Sequence, residues 1–350
     1  MANKKEEANY RGLQELKTAL KAAAPEKLYF FYGEEDYLKE YYFSALKKKL
    51  LGGAMEEFNY RRISAEEMSM ETLSLAVDAL PMLADRVLVK VEDYDPFRAA
   101  EAERERFIER ISDLPDSCCL IFYYDTIPYK PDGKMKKLTA AIETYGHPVE
   151  FYKQSSRELG EWITRHFRSE GKTIRPDVAE YLIFLTGGGM HALDGEIRKL
   201  SAYCPGQEIR KEDIDAVTEP TLTAAAFDVT DAMEAGNGDA VLQHLHTMLR
   251  MQEDPLAILA SVGTHFRRLL AAKTVRAAGG GAAELMPMVG SGSEYYVKKL
   301  LRQADGLDEA FCRQAVLDCF ETDKAFKSYA QDNVMLLEVL LLKLTKRGKT

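Results

Sequence analysis

Residues 33–40 read Gly-Glu-Glu-Asp-Tyr-Leu-Lys-Glu; they follow the apolar run LYFFY (28–32) and lead into KEYYFSALKKKLL (39–51), which carries a helical pattern. Set against the phosphate-binding loop G-x-x-x-x-G-K-[S/T], this stretch keeps the first glycine, Gly33, and the lysine, Lys39. It loses the rest. Such a loop needs small residues so that successive backbone N–H groups reach the phosphates, a lysine for their charge, and a hydroxyl for Mg²⁺. Leu38 stands in place of the second glycine and Glu40 in place of the hydroxyl, while Glu34, Glu35 and Asp36 add three carboxylates where a polyphosphate would sit. Charge repulsion therefore reinforces the steric objection. The motif alone is a common accident, but its position at the end of a first strand and the opening of a helix is where a phosphate loop belongs. The reading is a degenerate loop, Gly33, Leu38, Lys39 and Glu40, in a fold of the nucleotide-binding type.

The flanking chain supports that type. KLYFFYG, FNYRRI, RVLVKVED, CCLIFYYD and HPVEFYK alternate with helical patterns such as EEMSMETLSLAVDAL and RAAEAERERFIERI. Strands separated by helical segments are the signature of βαβ units and a mainly parallel sheet. RVLVKVED and CCLIFYYD are short continuous apolar runs, as central strands covered on both faces require. Residues 1–150 thus form one α/β domain of five strands.

Beyond it the strand signals stop. Ser155-Ser156-Arg157-Glu158 is a capping-box start for a helix that Gly171 ends. Residues 151–218 read as a small helical domain, and 219–350 as a second one, interrupted by GGGAA near 279–283 and GSGS near 290–293. No repeat period is present.

Composition limits the chemistry. The chain has 350 residues, enough for several domains, and 47 Lys and Arg against 56 Asp and Glu give a net charge of −9. Any nucleic-acid contact must be local. No apolar run reaches the roughly 20 residues of a membrane span, and MANKKEEANYRG lacks the apolar core of a signal peptide, so the expected location is the cytoplasm with no membrane contact. The five cysteines, Cys118, Cys119, Cys204, Cys312 and Cys319, form no C-x-x-C pair, and His244 and His246 point to different faces of a helix. Neither a metal nor a catalytic histidine is expected. Glu92-Asp93, after RVLVKV, reads equally as a Mg²⁺ site or as a solvated strand end, and Asp125 ends CCLIFYY.

Taken in order, LYFFYGEEDYLKE (28–40), ALPMLADRVLVKVED (79–93), CCLIFYYD (118–125), ELGEWITRHFRSEGKTI (158–174), GGGMHALDGEIRKLSAY (187–203), EIRKEDIDAV (208–217), AAFDVTDAMEAGNGDAVLQHL (225–245), DPLAILASVGTHFRRLL (254–270) and ETDKAFKS (321–328) resemble the delta subunit of the bacterial DNA polymerase III clamp loader. The resemblance covers nearly the whole chain. It implies an AAA+-type fold without ATPase activity: a RecA-like domain over 1–150, a helical lid over 151–218 and a helical collar for oligomerisation over 219–350. It also implies a role in DNA replication, in which the subunit binds the ring-shaped sliding clamp and holds it open for loading onto primed DNA. Its implied partners are the clamp, the ATPase motor subunits and delta prime through the collar, and primer-template DNA; no cofactor is implied. Gly188-Gly189-Met190-His191 falls where active relatives carry the second sensor G-D-M-R, so His191 replaces an arginine, which is not conservative for bidentate phosphate recognition. TIPYKP (126–131) stands where an active relative would carry a Ser-Arg-Cys finger. The alternative, an active P-loop motor subunit, needs the intact G-K-[S/T] that is missing; a purely helical adaptor is opposed by the five strand signals.

By the same resemblance Met82 and Leu83 occupy the place of the apolar pair that enters the clamp's hydrophobic pocket. From the residues alone they read equally as core; Pro81 ends the preceding helix and sets an extended or turn conformation ahead of them. For DNA, Tyr295, Tyr296, Lys298 and Lys299 combine aromatic rings with positive charge, suited to stacking and backbone contact, and read equally as a half-buried helix. Lys47-Lys48-Lys49 reads as a solvated helix end, where cations suit the dipole.

Overall fold

A computed structural model of the chain describes residues 2–22, 24–52, 56–328 and 332–347. They fall into two compact units, Met1–Lys153 and Gln154–Thr350.

The first unit runs α1 (Ala2–Ala22), β1 (Leu28–Tyr32), α2 (Asp36–Leu51), α3 (Glu56–Asn59), β2 (Tyr60–Ile63), α4 (Met70–Val77), β3 (Val87–Glu92), α5 (Glu101–Ser112), β4 (Cys118–Tyr123), α6 (Lys136–Tyr145) and β5 (His147–Glu150). Its five strands are the five expected, all parallel in the order β2-β3-β4-β1-β5. Alternation along each strand divides two cores between the faces of the sheet. Leu28, Phe30, Val89, Leu120 and Phe122 join Leu73, Phe107, Ile111 and Ile142 from α4, α5 and α6. Tyr29, Phe31, Leu88, Cys119 and Ile121 join Leu13 and Leu16 of α1 and Leu46 and Leu50 of α2 on the other. Every residue of β4 is buried, which is why that strand shows no polar alternation. Cys118 and Cys119 are buried small side chains on opposite faces, and burial pushes the Cys118 thiol up to about 12.

Two local boundaries differ from the sequence reading. The helix expected over EEMSMETLSLAVDAL begins only at Met70, because the Ser69 hydroxyl accepts the Thr72 N–H and caps it. It ends at Val77, so Pro81 lies beyond the helix end and does not terminate it.

The second unit runs α7 (Ser156–Ser169), β6 (Thr173–Ile174), α8 (Pro176–Thr186), α9 (Met190–Tyr203), β7 (Glu208–Ile209), α10 (Lys211–Val217), α11 (Leu222–Glu234), α12 (Gly238–Arg250), α13 (Pro255–Ala277), α14 (Ala282–Val289), α15 (Glu294–Gly306), α16 (Glu309–Ser328) and α17 (Asn333–Arg347). The capping box at Ser155 is present: Glu158 accepts the Ser155 N–H at 2.8 Å, and the Ser155 hydroxyl accepts the Glu158 N–H at 3.3 Å. The parallel pair β6–β7, two residues each, was not expected; strands this short carry no readable period. Helices from both stretches expected as separate helical domains, 151–218 and 219–350, share this one unit, with Phe184 of α8 edge-on to Phe227 of α11 at 5.3 Å.

Candidate functional site

Gly33 has φ +117, and a Cβ there would collide with the backbone of Phe151. The Glu35 N–H donates to the Phe151 carbonyl at 2.9 Å, and the Phe151 N–H donates to the Tyr32 carbonyl at 2.7 Å. The glycine is therefore required by the close approach of the chain beyond β5. Leu38 packs its side chain against the sheet face that carries Tyr29 and Phe31, and Glu40 lies exposed. Lys39 is fully buried. Its ammonium donates to the Tyr124 carbonyl at 2.8 Å and the Gly33 carbonyl at 3.4 Å, and pairs with Asp36 at 2.9 Å and Asp125 at 3.7 Å. The one cation of the loop is satisfied from within the protein.

Above it, at the carboxyl ends of β1 and β4, opens a crevice of about 600 Å³. This is where the strand order changes direction and where an α/β sheet binds a nucleotide. Glu34, Asp36, Asp125 and Glu150 line it with Tyr32, Tyr124 and Tyr129, and no Lys or Arg among the described residues does. Four carboxylates repel a polyphosphate. The two acids at the end of β3, its last residue Glu92 and the following Asp93, are also spent. Glu92 pairs with Arg62 at 2.6 Å and Lys90 at 2.7 Å. Asp93, at φ +52, accepts the Asp125 N–H at 2.7 Å, the Thr126 N–H at 3.1 Å and the Thr126 hydroxyl at 2.6 Å. Burial pushes each carboxyl up, but these partners outweigh it and hold both below the ordinary range. The Mg²⁺ reading of Glu92-Asp93 loses its basis, since both groups already serve as acceptors in the fold. Among the described residues no cluster of His, Cys, Asp and Glu is placed to hold a metal ion.

Met82 and Leu83 lie on the surface. Leu83 is 81% exposed and Met82 47%, and Leu80 and Leu75 nearby are 84% and 76% exposed. Neither belongs to the two cores of the sheet. Leu83 has φ +54, a conformation that crowds an L-residue's Cβ. Fixed points flank it: the side-chain amide of Asn59 bonds both the N–H and the C=O of Met82, and Arg86 donates to the Pro25 carbonyl at 2.7 Å. The result is a short apolar tip just ahead of β3. No sequence signal marked Asn59, because a lone asparagine at a helix end has many uses.

His191 is exposed in the first turn of α9, behind Gly187 and Gly188, both at positive φ. The four residues of α15 diverge. Tyr296 is 6% exposed, accepts a hydrogen bond from Arg268 at 2.9 Å and packs edge-on to Phe227 at 5.3 Å. Lys299 lies over Phe184 and Phe227 at 4.8 Å from each, beside Asp228 at 3.8 Å, and burial pushes its pKa down. Tyr295 leans on Phe184, and the exposed Lys298 pairs with Glu294 at 2.7 Å. These four do not present one stacking platform, because α15 turns Tyr296 and Lys299 into the helical core.

Two sequence models of one family match the chain: DNA polymerase III, delta subunit, over residues 29–145, and the C-terminal domain of that subunit over 223–344. The chain is 24% identical to DNA polymerase III subunit delta of Bacillus subtilis (strain 168) over 336 residues, 95% of this chain and 96% of that one. A probable DNA polymerase III subunit delta of Aquifex aeolicus (strain VF5) is 22% identical over 341 residues, covering 93% of each chain. The structure of the Bacillus subtilis DNA clamp loader delta protein superposes with a TM-score of 0.63 at 23% identity, covering 95% of this chain and 99% of that one. With family matches in both units and relatives spanning nearly its full length, the chain belongs to the DNA polymerase III delta-subunit family.

Proposed function

We propose that this protein is the clamp-loader subunit that binds the sliding clamp and holds its ring open for loading onto primed DNA during replication, without hydrolysing ATP. The observation that carries this reading is the exposed Met82–Leu83 tip, fixed through its backbone and left out of both cores, in a chain of the delta-subunit family. An aliphatic pair held out from a rigid sheet suits insertion into an apolar pocket. Mixing the chain with the sliding clamp of the same organism and following the complex by gel filtration tests it; no complex at micromolar concentrations overturns it.

The crevice gives this reading its non-catalytic half. Lys39 already has two carbonyl and two carboxylate partners, and the surrounding charge is negative. Calorimetry with ATP and Mg²⁺ is expected to give no binding at micromolar nucleotide. Lys39→Ala leaves the buried Tyr124 carbonyl without its donor, a loss of about 1–3 kcal/mol. Its expected effect is a melting temperature lower by roughly 5 °C, with ATP affinity absent before and after. Micromolar ATP affinity abolished by Lys39→Ala would favour the active motor subunit instead.

The three-part organisation, 1–150, 151–218 and 219–350, belongs to the same proposal, with the last part joining the motor subunits and delta prime. An apolar groove of about 380 Å³ between α13 and α16 supports it, with Leu256, Leu317 and Phe320 exposed at 42%, 56% and 54%. Leu317→Glu with Phe320→Glu is expected to leave clamp binding intact and to abolish incorporation into the loader, measured by reconstitution and gel filtration. Normal assembly of that variant would move the contact elsewhere. Primer-template DNA is a partner of the assembled loader in this reading, which places the protein in the cytoplasm. Among the described residues no helix is long and apolar enough to cross a membrane.

A further inference from the structure

Asn59 closes α3 and precedes β2, an edge strand of the sheet, and its side chain is fully buried. Its Nδ2 donates to the Met82 carbonyl at 2.7 Å, and its Oδ1 accepts the Met82 N–H at 2.7 Å. The two bonds close a ring like that of a strand ladder, with a side-chain amide in place of a neighbouring backbone. They also settle the orientation of the amide, since the reverse would set NH₂ against N–H and oxygen against oxygen. The next residue is Leu83, at φ +54 and 81% exposed. A leucine adopts that conformation only where its surroundings over-determine it. The Asn59 ring on one side and the Arg86–Pro25 hydrogen bond on the other supply that constraint.

We propose that Asn59 is the positioning residue of the clamp-binding tip: by holding both backbone polar groups of Met82, and so the two peptide groups that flank its Cα, it keeps Leu83 projected before the clamp arrives, so binding does not have to order the loop. The inference rests on the reading of Met82 and Leu83 as the clamp contact. Preorganisation acts on affinity by removing an ordering cost. A residue that served the fold alone would act on stability, whatever the tip carried.

The test uses the full chain and the sliding clamp of the same organism. Asn59→Ala is expected to weaken clamp binding about tenfold in the otherwise unchanged chain and to have no further effect when Met82 and Leu83 are already Ala. Equal weakening in both backgrounds, or affinity within twofold of the parent, overturns the proposal. Asn59→Asp, of the same shape, keeps the acceptor and loses the donor, and is expected to weaken binding in the same direction; it serves if the Ala variant does not fold. In the unchanged protein the Met82 amide is expected to exchange with solvent at least a hundredfold more slowly than those of Ala84 and Asp85, and fast exchange there overturns the proposal without any variant. If Met82→Ala with Leu83→Ala leaves clamp binding intact, the contact reading itself fails. If that variant loses binding and Asn59→Ala does not, only the positioning role falls.

Discussion

Replacing Met82 and Leu83 together by Ala is expected to weaken sliding-clamp binding about a hundredfold and to leave the melting curve within about 2 °C of the parent. Full burial of two such side chains in a partner's pocket is worth roughly 3–6 kcal/mol before entropic losses. Truncation to Ala removes most of that, and a loss of about 3 kcal/mol corresponds to about a hundredfold in Kd. The fold has little to lose, because Leu83 is 81% exposed and Met82 47%. The contacts that fix the tip run through the Met82 backbone, which the substitution leaves in place. Thermal unfolding and clamp affinity measured on one preparation separate the outcomes. Normal affinity refutes the contact; lost affinity with a melting temperature several degrees lower shows that the residues serve the fold.

Acidification from pH 6.5 to 4 is expected to cost the second unit about 3 kcal/mol through His265 alone. The imidazole is 2% exposed in the helical core, edge-on to Phe227 at 4.4 Å. Gln303 donates through Nε2 to the Phe227 carbonyl at 3.0 Å and to Asp231 at 2.6 Å, which turns its Oε1 toward His265. His265 Nε2–H therefore donates to Gln303 at 2.6 Å, and buried Nδ1 has no hydrogen-bond partner among the described residues. Burial, with the positive charges of Arg268 and Lys299, lowers the pKa from 6.5 to about 4 against the opposing pull of the Gln303 bond. The sign follows from which state binds the proton. Between pH 6.5 and 4 the unfolded chain is protonated and the folded one is not, so stability is complete above 6.5 and falls as pH drops toward 4. At 1.36 kcal/mol per unit the difference is about 3 kcal/mol, or roughly 6–12 °C in melting temperature. His265→Gln keeps a donor for Gln303 and takes up no proton. That variant starts less stable but should lack this part of the acid-induced fall. Parallel curves for parent and variant across the window would assign the pH dependence to other groups.

The sheet was legible in the sequence because its strands carry their burial in their own composition. CCLIFYY reads as a strand covered on both faces, and it is one. The capping box at Ser155 was legible for the same reason: both partners lie within four residues of each other. In α1, Leu13, Leu16 and Leu20 recur at three and four residues, and all three face the sheet.

What the sequence alone determined is thus the run of strands and helices, the loss of the loop's second glycine and hydroxyl, and the family to which that order belongs. Only the tertiary structure decided what the individual side chains do. Lys39 looks like the remnant of a phosphate ligand until Tyr124, 85 residues along the chain, supplies its acceptor. Tyr296 and Lys299 look like a stacking surface until Phe184 and Phe227 cover them. Met82 and Leu83 could have been core by their chemistry, and Asn59, 23 residues earlier, holds the first of them at the surface. The physical reason is common to all of these. Local periodicity and capping act between neighbours in the chain, whereas a buried charge or amide must find its partner wherever the fold brings one.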